Sequence, residues 1–194
     1  MTSHLSQSFK EAFQYTFSLH RKQRRKGSGV PYISHLMAVC AMVLEDGGSE
    51  EEAIAALLHD AVEDQGGQNT LEEIKRLFGD GVSNLVLACT DADRIPKPSW
   101  KKRKSNFLLS LSSASPGALR IILADKLHNL QSIHNDYLRF GSKVWKRFKG
   151  GKEGTLWYYE ELVTFFNAQP ESLLQNRFLA EYEKFTRILN SETE

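Results

Sequence analysis

The residues whose types could do chemistry crowd into one six-residue word, His59-Asp60-Ala61-Val62-Glu63-Asp64, which closes the apolar run AIAALL. On a helix, a spacing of four pairs His59 with Glu63 and Asp60 with Asp64, while adjacent side chains diverge by about 100°. One turn can therefore present two metal ligands and two further carboxylates. Carboxylates at a helix C-terminus oppose the helix dipole at a cost of a few tenths of a kcal/mol or more each, so the word asks for a compensating cation. Two more candidates sit in similarly apolar, helical settings: His35, which opens HLMAV, and Asp125 in RIILADKLHNL. A carboxylate among such neighbours is expected to face a core only where something cationic meets it. His35, His59, Asp60 and Asp125 would make a mixed imidazole and carboxylate set with positions left for water. Such a set suits Mn²⁺ or Fe²⁺ better than structural zinc. His4 is terminal, His134 has a polar context, and His20 and His128 lack a carboxylate at ligand spacing, so these four are read as non-ligands.

These residues must be positioned by helices. Apolar residues recur at three and four throughout, as in Phe9, Phe13 and Phe17, then Leu36, Val39, Cys40 and Val43, then Ile54, Leu57 and Leu58. Strand-like alternation is nearly absent. Ser49 before three glutamates reads as a helix start, and Thr70 with Glu73 as a capping-box pattern. Helices are predicted over 5–21, 35–46, 49–64, 70–78, 81–90, 99–113, 117–140, 154–167 and 171–190, with loops over 24–34, 92–99 and 141–154. The predicted fold class is all-α, a single-domain helical bundle spanning residues 1–194, without internal repeats or low-complexity tracts.

Composition narrows the class further. The 194 residues are 41% hydrophobic and 25% charged, and Lys+Arg 25 against Asp+Glu 24 leave a formal charge of +1. Disorder and polyelectrolyte tails are thereby excluded. No apolar run is long enough to cross a membrane and the N-terminus does not read as a signal peptide, so a soluble, cytoplasmic protein is expected. The two cysteines, Cys40 and Cys89, sit among apolar neighbours and are read as reduced core thiols. Charge is segregated locally. Residues 21–26 (RKQRRK), 97–104 and 143–152 each carry five positive charges, whereas Glu45 to Asp64 holds eight acidic residues and no Lys or Arg. Carboxylates that could hold a metal, flanked by cations that could grip phosphates, point to a polyanionic small molecule as substrate.

Taken in order, His35, His59-Asp60 and Asp125 resemble the HD metal-dependent phosphohydrolase superfamily. The flanking words HRKQRRKGSGVPYISH (20–35), AALLHDAVED (55–64), LVLACTDAD (85–93) and LADKLHNL (123–130) are similar to the hydrolase domain of the RelA/SpoT-type alarmone enzymes, and the length to its single-domain small alarmone hydrolases. The resemblance implies that His35, His59, Asp60 and Asp125 bind Mn²⁺ and that Glu63 and Asp64 act on the attacking water. It implies that Arg25 and Lys26 handle substrate phosphates and that Asn129 binds substrate. Val30 and Leu36 depart from the family's usual glutamate or small polar residue and proline. One extra residue in the turn, Gly27 or Ser28, leaves Arg24 against Arg25 open. Within the 101–104 cluster Lys104 is taken as a phosphate contact, and Tyr158 in TLWYYEEL as a neighbour of the nucleotide, although a core stripe gives the same spacing.

The activity implied is Mn²⁺-dependent removal of the 3′-pyrophosphate from guanosine tetra- or pentaphosphate, giving GDP or GTP. A nucleotide is the expected partner, with neither a membrane nor a nucleic acid. Two alternatives differ in substrate or class: a phosphatase acting on the 2′-phosphate of NADPH or on an adenosine alarmone, and a non-catalytic helical module binding nucleotide or RNA through its basic runs.

Overall fold

The computed structural model describes residues 4–91 and 98–191. They form nine α-helices: α1 (Gln7–His20), α2 (Ile33–Glu45), α3 (Glu50–Leu58), α4 (Ala61–Gln65), α5 (Gln68–Cys89), α6 (Trp100–Ser110), α7 (Pro116–Phe140), α8 (Gly151–Asn167) and α9 (Leu173–Ser191). Among the described residues the only β pairing is an isolated bridge between Arg24 and Pro31, so the fold is all-α as expected. Contacts divide the chain into two units, residues 1–124 and 125–194. The division falls inside α7, which runs through it without a break.

In the first unit α3 is the central element. Ala53, Ile54, Ala55, Ala56, Leu57 and Leu58 are all buried, so the helix is apolar on every side and is enclosed by α1, α2 and α5. Burying a side chain the size of Leu57, Leu58 or Ile54 contributes about 1.5–3 kcal/mol each. The start of α3, expected at Ser49, is set by a capping box: the Ser49 hydroxyl accepts from the Glu52 amide and the Glu52 carboxylate accepts from the Ser49 amide. The second unit packs α8 against α9 and against a 3₁₀ helix, Gly141–Arg147. Tyr159, Phe166 and Phe178 form its buried ring cluster.

Three expectations are corrected. The helix read over 49–64 ends at Leu58 and a new one starts at Ala61. At the break the His59 Nδ1 lies 2.8 Å from the Ala56 carbonyl, the acceptor that residue 60 would use in a continuous helix. Glu63 and Asp64 therefore lie in the first turn of α4, where the helix dipole favours negative charge. The capping box read at Thr70 does not form. Helix α5 begins two residues earlier at Gln68, the Thr70 hydroxyl donates back to the Gln65 carbonyl, and Glu73 pairs with Arg76 instead. Residues 141–147 of the predicted loop 141–154 are 3₁₀-helical and bury Val144 and Trp145. Helix α8 starts three residues before the predicted position, at Gly151. The break expected between the helices read over 70–78 and 81–90 is present within α5, at Gly79, whose positive φ of 86° leaves helical geometry in a way that glycine tolerates. Most of the predicted loop 92–99 lies outside the described residues.

Candidate active site

The site is assembled where α2 begins and α3 ends. His35 stands in the first turn of α2 and His59 caps α3, and both imidazoles are buried. Their rings meet edge to face at 5.2 Å. The His59 Nδ1 faces the Ala56 carbonyl, which can only accept, so Nδ1 is the donor there. The other ring nitrogen faces a carboxylate: Asp60 Oδ2 lies 3.1 Å from His59 Nε2 and 3.5 Å from His35 Nε2. The Tyr32 hydroxyl donates to the same oxygen at 2.7 Å. Asp125 is peptide-bonded to the last residue of the first unit and carried by the uninterrupted α7. Its carboxylate has a ligand atom within 4.8 Å of ligand atoms of His35 and His59. Two imidazole nitrogens and two carboxylates thus come together, a set of N and O ligand atoms that fits a divalent metal.

Around this centre the structure holds both carboxylates of α4. The Gln23 side-chain amide donates to Asp64 Oδ2 at 2.7 Å. Arg103 Nη1 approaches Glu63 Oε1 at 3.9 Å and bonds Asp91. Burial pushes the His20 pKa down, partly offset by its hydrogen bond to Gln23 and by the charges of Asp60 and Asp64, so this ring is held neutral beside the site. Lys126 is buried, which works against its charge, yet the Asp125 carboxylate and the Tyr158 and Tyr159 hydroxyls raise its pKa above the usual value.

The expected substrate residues fall into different environments. Backbone bonds from Arg25 N to the Val30 carbonyl, from Gly29 N to the Arg25 carbonyl and from Tyr32 N to the Gln23 carbonyl close the loop before α2. Arg24 bonds the Gly29 carbonyl of this loop, whereas the Arg25 guanidinium lies 5.6 Å above the Tyr32 ring, the ring that holds Asp60. Lys26 is exposed at the tip. Lys104 donates to Asp91 at 2.6 Å. Asn129 donates to the Asp125 carboxylate. Tyr158 belongs to the second unit, where it is buried against Tyr159. Among the residues read as non-ligands, His134 is buried and pairs with Glu181 at 2.6 Å. Sequence reasoning missed Gln23, Tyr32, Arg103 and Asp91. Gln23, the one uncharged residue of RKQRRK, was hidden in a charge run, and only the PY word hinted at Tyr32.

Comparison with known proteins bears on the same residues. Residues 12–156 match the HD domain family. The chain belongs to that family. Guanosine-3′,5′-bis(diphosphate) 3′-pyrophosphohydrolase MESH1 of Mus musculus is 39% identical over 127 residues, which cover 64% of this chain and 68% of the relative. The protein of the same name from Xenopus tropicalis is 34% identical over 155 residues, 72% of this chain and 84% of the relative. A solved structure described as a metazoan ortholog of SpoT that hydrolyzes ppGpp superposes with a TM-score of 0.76 at 27% identity, covering 94% of this chain and 98% of that one. The RelA/SpoT-type resemblance and the hydrolase class read from the sequence both stand. No helix among the described residues is long and apolar enough to cross a membrane.

Proposed function

We propose that this HD-family chain, acting as one hydrolase domain, removes the 3′-pyrophosphate of guanosine tetra- or pentaphosphate with the help of a divalent ion, Mn²⁺ or alternatively Fe²⁺. The observation that carries this reading is the convergence of His35, His59 and Asp125, with Asp60 beside them, at the head of α4. The similarity to guanosine-3′,5′-bis(diphosphate) 3′-pyrophosphohydrolases supports the substrate. His35, His59, Asp60 and Asp125 would hold the ion. When bound, it supplies a water made acidic near neutral pH and neutralises charge on the phosphoryl oxygens.

The chain's own residues do the rest. Water attacks the phosphorus attached to the 3′-oxygen, the P–O3′ bond breaks, and pyrophosphate leaves the nucleoside 5′-diphosphate or 5′-triphosphate. Glu63 and Asp64, one turn past the ligands, take the water proton and return one to the departing 3′-oxygen. Arg25, stacked on Tyr32, and Lys26, at the tip of the same loop, bring positive charge to the substrate phosphates. Lys104 adds a cation on α6. Asn129 holds Asp125 in place. Tyr158 is the aromatic candidate for bordering the nucleotide. A turnover comparison on one metal-loaded sample tests the reading: guanosine tetraphosphate should be cleaved in preference to an adenosine alarmone and to NADPH. A preference for NADPH, with release of a single phosphate, would replace it.

A further inference from the structure

Asp64 is exposed and sits on a helix of five residues that ends at Gly66 and Gly67, both in positive-φ conformations. Nothing in that short helix fixes the direction of its carboxylate. The fixing comes from another part of the chain. Gln23 is held by its backbone on both sides, its amide donating to the His20 carbonyl at 2.9 Å and its carbonyl accepting from the Tyr32 amide at 3.0 Å. Its side-chain oxygen lies 2.8 Å from His20 Nδ1 and also accepts from the Gln65 amide. With the oxygen engaged by two donors, the NH₂ end must be the one that faces Asp64, and a carboxylate can only accept there. The amide orientation is thus forced, and with it the His20 tautomer that carries its proton on Nδ1. The His20 ring lies nearly parallel to the Tyr32 ring, at 17° and 5.6 Å, which fixes the imidazole in turn.

We infer that Gln23, locked by His20 and Gln65, is the positioning residue for Asp64, aiming its carboxylate for proton transfer without itself touching the substrate. This rests on the role proposed above for Asp64. A side chain that only aims a catalytic group should affect the rate of the chemical step and leave ground-state binding alone. It should also lose its effect once the group it aims is disabled.

The test is steady-state and single-turnover kinetics on the metal-loaded full chain carrying Gln23→Glu, Gln23→Leu, His20→Phe, Asp64→Asn, and the double variant Gln23→Glu with Asp64→Asn. Gln23→Glu preserves shape and the acceptor oxygen but removes the donor, so folding and metal content should match the parent. Its kcat should fall about 10- to 100-fold with KM within about twofold. Gln23→Leu should fall by a similar factor, and His20→Phe, which keeps the stacked ring but loses the Nδ1 donor, by less. The double variant should be no slower than Asp64→Asn alone. A parental kcat for Gln23→Glu, a loss expressed mainly in KM, or a multiplicative loss in the double variant would overturn the inference while leaving Asp64 catalytic. A parental rate for Asp64→Asn would instead remove the proposed role of Asp64, and this inference with it.

Discussion

Helices α2, α3 and α7 each carry charged or ligand-type residues at two places, and the two resulting clusters behave in opposite ways. At one, the Arg120 guanidinium lies between two carboxylates, donating to Asp46 just past the end of α2 at 3.1 Å and to Glu52 in the first turn of α3. Burial works against the charge on Arg120, but both carboxylates more than offset it and its pKa is raised. At the other, His35 from the start of α2, His59 from the end of α3 and Asp125 from α7 bring ligand atoms within 4.8 Å of one another. One cluster closes on itself, cation between anions, and is complete as folded. The other turns two imidazole nitrogens toward one carboxylate oxygen, a donor set that a divalent cation would join. A buried charged cluster thus reads as structural or functional by whether its donors and acceptors balance internally, and the same helices can hold one of each kind.

Disabling the open cluster should have the largest effect. Asp60→Ala removes an anion that the two imidazoles face, and should abolish both metal loading, measured by elemental analysis, and turnover, by about three orders of magnitude or more. Normal metal content in that variant would take Asp60 out of the ligand set. Next in size, Glu63→Gln and Asp64→Asn should retain metal while single-turnover rates fall by about two to four orders of magnitude. The closed cluster should respond in stability instead. Arg120→Met takes the shared cation from Asp46 and Glu52, and because the guanidinium is partly solvated the loss should be about 1–3 kcal/mol in denaturant unfolding. The kcat of the folded fraction should not change.

The smallest expected effect near neutral pH concerns Cys40, whose thiol burial pushes up to about 12. The folded chain keeps this proton at pH values where the unfolded chain has lost it. Stability should therefore fall as pH rises above about 9, by up to ~1.4 kcal/mol per pH unit. Cys40→Ala should remove that slope, and native Cys40 should resist alkylation at pH 8 until the protein is unfolded.

What was legible in the sequence follows the range of the forces involved. The ligand types at His35, His59-Asp60 and Asp125 are chemical identities on apolar helices, visible without coordinates, and the nine-helix outline followed from spacing and caps such as Ser49. The break at His59 was not visible, because it depends on an imidazole turning back onto the Ala56 carbonyl, a choice that helix periodicity does not encode. For the same reason the sequence sets the carboxylates of α4 against a helix dipole that in fact favours them. Lys104 read as a free phosphate cation because its partner Asp91 is thirteen residues away. Gln23 was hidden for the opposite reason: its neighbours in RKQRRK are so strongly charged that a neutral amide among them carried no signal, although its bond to Asp64 spans 41 positions.

The most direct test of the account is hydrolysis of guanosine tetraphosphate by protein first stripped with a chelator and then reloaded with Mn²⁺, with products separated by ion exchange and identified by ³¹P NMR. The stripped protein should be inactive, and reloading should yield GDP and pyrophosphate in equal amounts. Full turnover after exhaustive stripping, or a metal-loaded protein that leaves guanosine tetraphosphate intact or releases single phosphates from it, would contradict the account.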